Sequence, residues 1–87
     1  MAGKLLLFQS ENTVSPEVEA EVRDLFTYHK PTDKQIENME NVREAGIQYV
    51  LAIIRNVPAG PTRTVAIRKV IESRMDCNSS IIHMGRY

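Results

Sequence analysis

The sequence has no tryptophan, and its aromatic residues are Phe8, Phe26, Tyr28, Tyr49 and Tyr87. A core built from so few large side chains is thin. A chain of 87 residues buries only about 60% of its unfolded surface, so association with other copies is expected before any motif is considered. The single cysteine, Cys77, excludes an intrachain disulfide and a cysteine-based zinc site, and a reducing compartment is the simplest setting. Neither sign of charge is in excess: 11 Lys and Arg balance 11 Asp and Glu. General nucleic-acid binders carry a clear basic surplus, which disfavours that class. Long apolar runs are missing as well. Leu5-Leu6-Leu7-Phe8 is too short for a signal-peptide core or a membrane span. There is no internal repeat, low-complexity tract or strand-like alternation. What remains is ordinary for a globular chain, with 43% hydrophobic and 25% charged residues.

Helix signals organise the rest. Residues 1–14 form an N-terminal segment with an apolar patch followed by polar residues, and residues 15–87 read as one domain. Ser15-Pro16 supplies an N-cap and a proline at the first helical position. Glu17, Glu19 and Glu21 follow, where the helix dipole favours negative charge. This first helix is predicted to run to about Tyr28, with Lys30-Pro31 ending it. Thr32-Asp33-Lys34-Gln35 has the form of a capping box. Ile36, Met39, Val50, Ile53 and Val57 then recur at three- and four-residue steps, predicting a helix over 33–56, about 36 Å long at 1.5 Å per residue. Pro58-Ala59-Gly60-Pro61 is a strong turn. A last helix is expected from Pro61 to about His83, with Ile67, Val70, Ile71, Met75, Ile81 and Ile82 as its apolar positions. The fold expectation is all-α: a short N-terminal helix, then a long antiparallel helical hairpin. Such a hairpin cannot bury both apolar faces alone, so a compact, symmetric homo-oligomer is expected.

Several polar residues fall where apolar ones are expected. Arg43 and Gly46 lie within the stripe of the second helix, and Arg63, Arg74 and Asn78 within that of the third. Arginine is rarely buried unless paired. A carboxylate from a neighbouring helix or subunit would satisfy it, and so would an anionic ligand held between helices; spacing alone leaves both open. Tyr28-His29 could stack on a ligand, or could be a packed tyrosine with its hydroxyl at the rim beside a solvated histidine. A metal site from His29 and His83 would need further ligands at recognisable spacing, and the sequence offers none, so no metal or cofactor is expected. Cys77, among Asp76, Asn78 and Ser79 with no adjacent base, reads as an inert thiol. No Ser-His-Asp arrangement or phosphate-cradling glycine loop is present, and the chain is not read as an enzyme.

Phe26-Thr27-Tyr28-His29-Lys30-Pro31 resembles the Phe-x-Tyr-His-x-Pro signature of the phage anti-CBASS cyclic-oligonucleotide sponges. In that family a helix with an Ile-Arg or similar pair follows, matched by Val42-Arg43. Its Pro-x-Ser-x-x-Arg turn is matched in part by Pro58-Ala59-Gly60-Pro61-Thr62-Arg63. Its Ala-Leu-x-x-Leu-Glu-x-x-x-Met helix is matched by residues 66–75, and its Asn-Ala-x-Ile ending by Asn78-Ser79-Ser80-Ile81. The resemblance spans residues 26–83 with hardly a gap. The chain departs from the pattern at Gly60-Pro61, where Ser-Arg is usual, at Asp76, which replaces a common aromatic, and at His83, where arginine is frequent.

The resemblance implies a non-enzymatic protein that assembles into a homo-hexamer. It would bind cyclic dinucleotides such as 3′,3′-cyclic GMP-AMP and, as in several members, cyclic trinucleotides. Sequestering these messengers in the cytoplasm of the infected bacterial host would keep the CBASS effector inactive. Tyr28 would be the base-stacking tyrosine, with His29 beside it. Arg43 would contact the cyclic dinucleotide, and Arg63 and Asn78 match motif positions of the ligand-binding part. The three departures lie in the region that contributes a second site for cyclic trinucleotides in relatives. Arg74 reads as structural. The alternative is a helical homo-oligomeric structural or interaction module with no small ligand. A compact helix-turn-helix DNA binder is disfavoured by zero net charge and by a turn that joins two long helices. No polymeric nucleic acid and no membrane partner is expected.

Overall fold

Ser15 and Pro16 open the first helix as their chemistry predicts. In the computed structural model, which describes residues 6–8 and 12–86, α1 is Pro16–Phe26, and the Ser15 hydroxyl accepts from the Val18 backbone N–H at 3.2 Å. The helix ends two residues short of the expected Tyr28. Thr27 takes an extended backbone, with φ −79° and ψ 137°, and its hydroxyl donates to the Arg23 carbonyl at 2.6 Å. The His29 Nε2 lies 3.0 Å from the Asp24 carbonyl. Side chains therefore satisfy the carbonyls that another helical turn would have used. Before α1, Leu6–Phe8 form a single 3-10 turn, and the Leu6 N–H donates to Glu21 of α1 at 3.0 Å.

The second helix, α2, is Asp33–Asn56, with the bounds its signals predict. Both bonds of the capping box form: Gln35 N–H to Thr32 Oγ1 at 3.1 Å, and Thr32 N–H to Gln35 Oε1 at 2.9 Å. The same Gln35 donates its Nε2 to the Ile81 carbonyl at 3.0 Å, so one side chain starts α2 and ties it to the end of α3. The third helix, α3, is Pro61–Ile82. It closes on a left-handed residue, Met84, with φ 55°. The Gly85 N–H reaches the Ser80 carbonyl at 2.9 Å and the Met84 N–H reaches Ile81 at 3.3 Å, the paired bonds of a Schellman turn.

The α2 and α3 helices pack against each other, and α1 packs against the 3-10 turn. Near the middle of the pair, a Cβ placed on Gly46 would lie 3.8 Å from Val70. The core is sparse. Val18 and Ile53 are 8% and 7% exposed, and the least exposed side chain of the described residues is a histidine, His83, at 6%. Ile71 and Met75 lie open on α3 and Tyr49 on α2. The radius of gyration is 17.0 Å, against about 12 Å for a compact domain of this length. The accessible surface is 6992 Å², against about 5,200 Å² for a folded monomer of this mass.

Candidate functional site

Two open clefts hold most of the residues singled out in the sequence. The first is a trough of about 430 Å³ along the seam of α2 and α3. Its floor is Gly46, Ile47, Val50 and Leu51 of α2 with Ile67, Val70 and Ile71 of α3. Arg43 and Arg74, one from each helix, also line it. Helical spacing explains the layout, since residues 43, 46, 47 and 50 follow one face of α2 and residues 67, 70, 71 and 74 one face of α3. Arg43 is exposed and Arg74 half-buried, and neither has a carboxylate partner among the described residues. The ion pair that a structural Arg74 would make is not found among the described residues.

The second cleft, of about 440 Å³, lies where the linker after α1 meets the end of α3. Tyr28, His29 and Pro31 of the linker face Asn78, Ser79, Ile82 and His83. The Tyr28 ring is 81% exposed, because α1 has ended before it and the extended linker carries it clear. Asn78 is half-buried, and its Oδ1 is buried with no hydrogen-bond partner among the described residues. A buried acceptor left without a donor costs about 1–3 kcal/mol.

The fold thus gathers Tyr28, His29 and Asn78 and keeps the other two candidates apart from them. Arg43 sits ten residues into α2, about 15 Å along the axis from its start. Arg63 lies at the opposite end of α3 from Asn78, about 22 Å away along the helix. Its Nη1 donates to the Val57 carbonyl at 3.2 Å, so within the chain Arg63 caps the end of α2. Cys77 is half-buried.

No protein-family model, curated protein or solved structure matches the chain.

Beside the second cleft lies a polar cluster that sequence spacing does not reveal. Asp24 Oδ1 is 3.3 Å from His29 Nε2, and Asp24 Oδ2 accepts from Arg86 Nη2 at 2.9 Å. The rings of His29 and His83 meet edge to face, with centroids 5.3 Å apart and planes at 83°. The two histidines stand out in the sequence, but Asp24 and Arg86 carry no local signal, because only the fold brings the end of α1 against the end of α3. Among the described residues, no helix is long and apolar enough to cross a membrane.

Proposed function

We propose that the chain is a phage counter-defence protein that binds cyclic oligonucleotide second messengers and withholds them from the CBASS effector without degrading them. The observation that carries this reading is the pairing, in one open cleft, of the exposed Tyr28 ring with the buried, unsatisfied Oδ1 of Asn78. A purine would answer both once the Asn78 amide turns its Oδ1 into the cleft. It offers a flat face for stacking and an N–H donor on its edge. The sponge-like signature from Phe26 to Pro31 spans the last residue of α1 and the same linker.

A cyclic dinucleotide also carries two phosphate charges, and the Tyr28 cleft of one chain holds no arginine among its lining residues. Symmetry supplies the cation. The contacts of α2 with α3 run in opposite order along the two helices, as in an antiparallel hairpin: Gln35 with Ile81, Gly46 beside Val70, Val57 with Arg63. The trough flanked by Arg43 and Arg74 is open in one chain, and the proposed assembly seats a second copy there with its Tyr28 near Arg43. The expanded radius and the large accessible surface favour association over a self-sufficient monomer. We take the assembly to be a homo-hexamer acting in the host cytoplasm, with cyclic dinucleotides as the main ligands and cyclic trinucleotides as further ones.

Calorimetric titration with 3′,3′-cyclic GMP-AMP tests the reading. Tyr28→Ala should weaken binding by about 1–3 kcal/mol, the range for bases stacked on aromatic side chains. Arg43→Ala should weaken it by a similar or larger amount, since charge-assisted bonds exceed neutral ones. Both variants should elute as the parent assembly, and the ligand released on denaturation should be intact. Unchanged affinity in both variants would overturn the site. A helical oligomer that binds no cyclic nucleotide would leave the structural-module alternative.

A further inference from the structure

We propose that Asp24, His29 and His83 form a binding site for a divalent transition-metal ion of the zinc, cobalt or nickel type. The inference does not rest on the cyclic-nucleotide reading, although His29 and His83 also line the Tyr28 cleft. One ligand atom from each residue can be chosen so that all three lie within 4.8 Å of one another; where the His29 atom is Nε2, it exchanges its 3.0 Å contact with the Asp24 carbonyl for the ion. Donors around a tetrahedral ion with bonds of about 2.0–2.2 Å sit about 3.4 Å apart, so closure takes a shift of roughly 1 Å. Two imidazoles and one carboxylate are the donor set that suits these metals, with a fourth position left for water.

The support around the three donors is what separates this group from a chance surface cluster. His83 is the least exposed side chain of the described residues, and the Schellman turn that ends α3 fixes its backbone. Arg86 bonds to the His83 carbonyl through its backbone N–H and its Nε, both at 3.2 Å. Its Nη2 holds the far oxygen of Asp24 at 2.9 Å, which leaves Oδ1 on the histidine side. Ligating carboxylates are ordinarily oriented by such an outer hydrogen bond. The guanidinium also cancels the carboxylate charge, so the affinity should fall below that of thiolate-rich structural zinc sites. The three donors come from the end of α1, the linker and the cap of α3. A bound ion would therefore clamp together parts of the chain that share little apolar contact, and binding to the folded state alone raises its stability.

The test is isothermal titration of metal-free, full-length protein with zinc chloride, with cobalt(II) absorption as a second readout. One ion should bind per chain and raise the thermal midpoint. The cobalt complex should show tetrahedral d–d bands without a thiolate charge-transfer band. His29→Gln and Asp24→Asn, whose side chains are about one-third exposed, should each lose at least about tenfold in zinc affinity, the loss already seen for outer-shell partners. Circular dichroism shows whether each variant is folded. Absence of saturable binding, parent-like affinity in both variants, or a thiolate band that places the ion at Cys77 would overturn the proposal.

Discussion

A single exposed residue carries the most evident local strain. Met84 is the one non-glycine residue with positive φ among those described, and it stands where helices prefer glycine. The left-handed conformation costs an L-residue roughly 1–2 kcal/mol. Its side chain lies in solvent, 75% exposed, so little packing offsets the strain. Met84→Gly should stabilise the protein by about 0.5–1 kcal/mol after the entropic penalty of glycine is subtracted, and chemical denaturation measures it. A lower midpoint would mean that the methionine side chain is engaged by another chain. Neighbouring residues divide by whether the chain itself satisfies them. Arg63 is spent on the Val57 carbonyl. Among the described residues, Asn78 Oδ1 has no hydrogen-bond partner, Arg43 has no carboxylate partner, and the Tyr28 ring is exposed.

At the scale of the helices, the sequence was most readable where a side chain bonds to its own backbone neighbourhood. Thr32 and Gln35 announce α2, and Pro61 announces α3, because a capping box and an N1 proline are local chemistry. The end of α1 was less legible. Thr27 and His29 close it through bonds to Arg23 and Asp24, whereas Pro31 constrains only the residue before it. The two halves of the candidate site differ in the same way. Tyr28 and His29 sit in a readable motif, and the trough arginines follow from periodicity. The cluster of Asp24, His29, His83 and Arg86 depends on where α3 ends in space, which no spacing encodes. Gly46 offers a test of the α2–α3 seam. A methyl group there meets Val70 at an ordinary 3.8 Å, and alanine exceeds glycine in helix propensity by about 0.8–1.0 kcal/mol. Gly46→Ala should raise the thermal midpoint, whereas a fall with loss of the assembly would put a neighbouring chain against the glycine.

For the whole molecule, the deciding feature is how little one chain buries. No described side chain is fully enclosed, and Phe26, Tyr49, Ile71 and Met75 all face outward. Among the described residues, polar contacts of Asp24 with His29 of the linker and Arg86 beyond α3, rather than a common apolar core, tie the end of α1 to the rest of the fold. Light scattering at micromolar concentration should give a mass several times the 9.9 kDa of the chain. A monodisperse monomer would sink the assembly and, with it, any ligand site that needs two chains.

The sparse core also bears on dosage. When neighbours complete a chain's core, its stability depends on its own abundance. In the proposed assembly, newly made chains at low copy number would be weakly folded and open to proteolysis. Each addition would make the next more durable, so complete sites would accumulate as a steep power of expression. A binder that must match its messenger molecule for molecule would then switch on over a narrow range of synthesis, early or late in infection according to promoter strength alone.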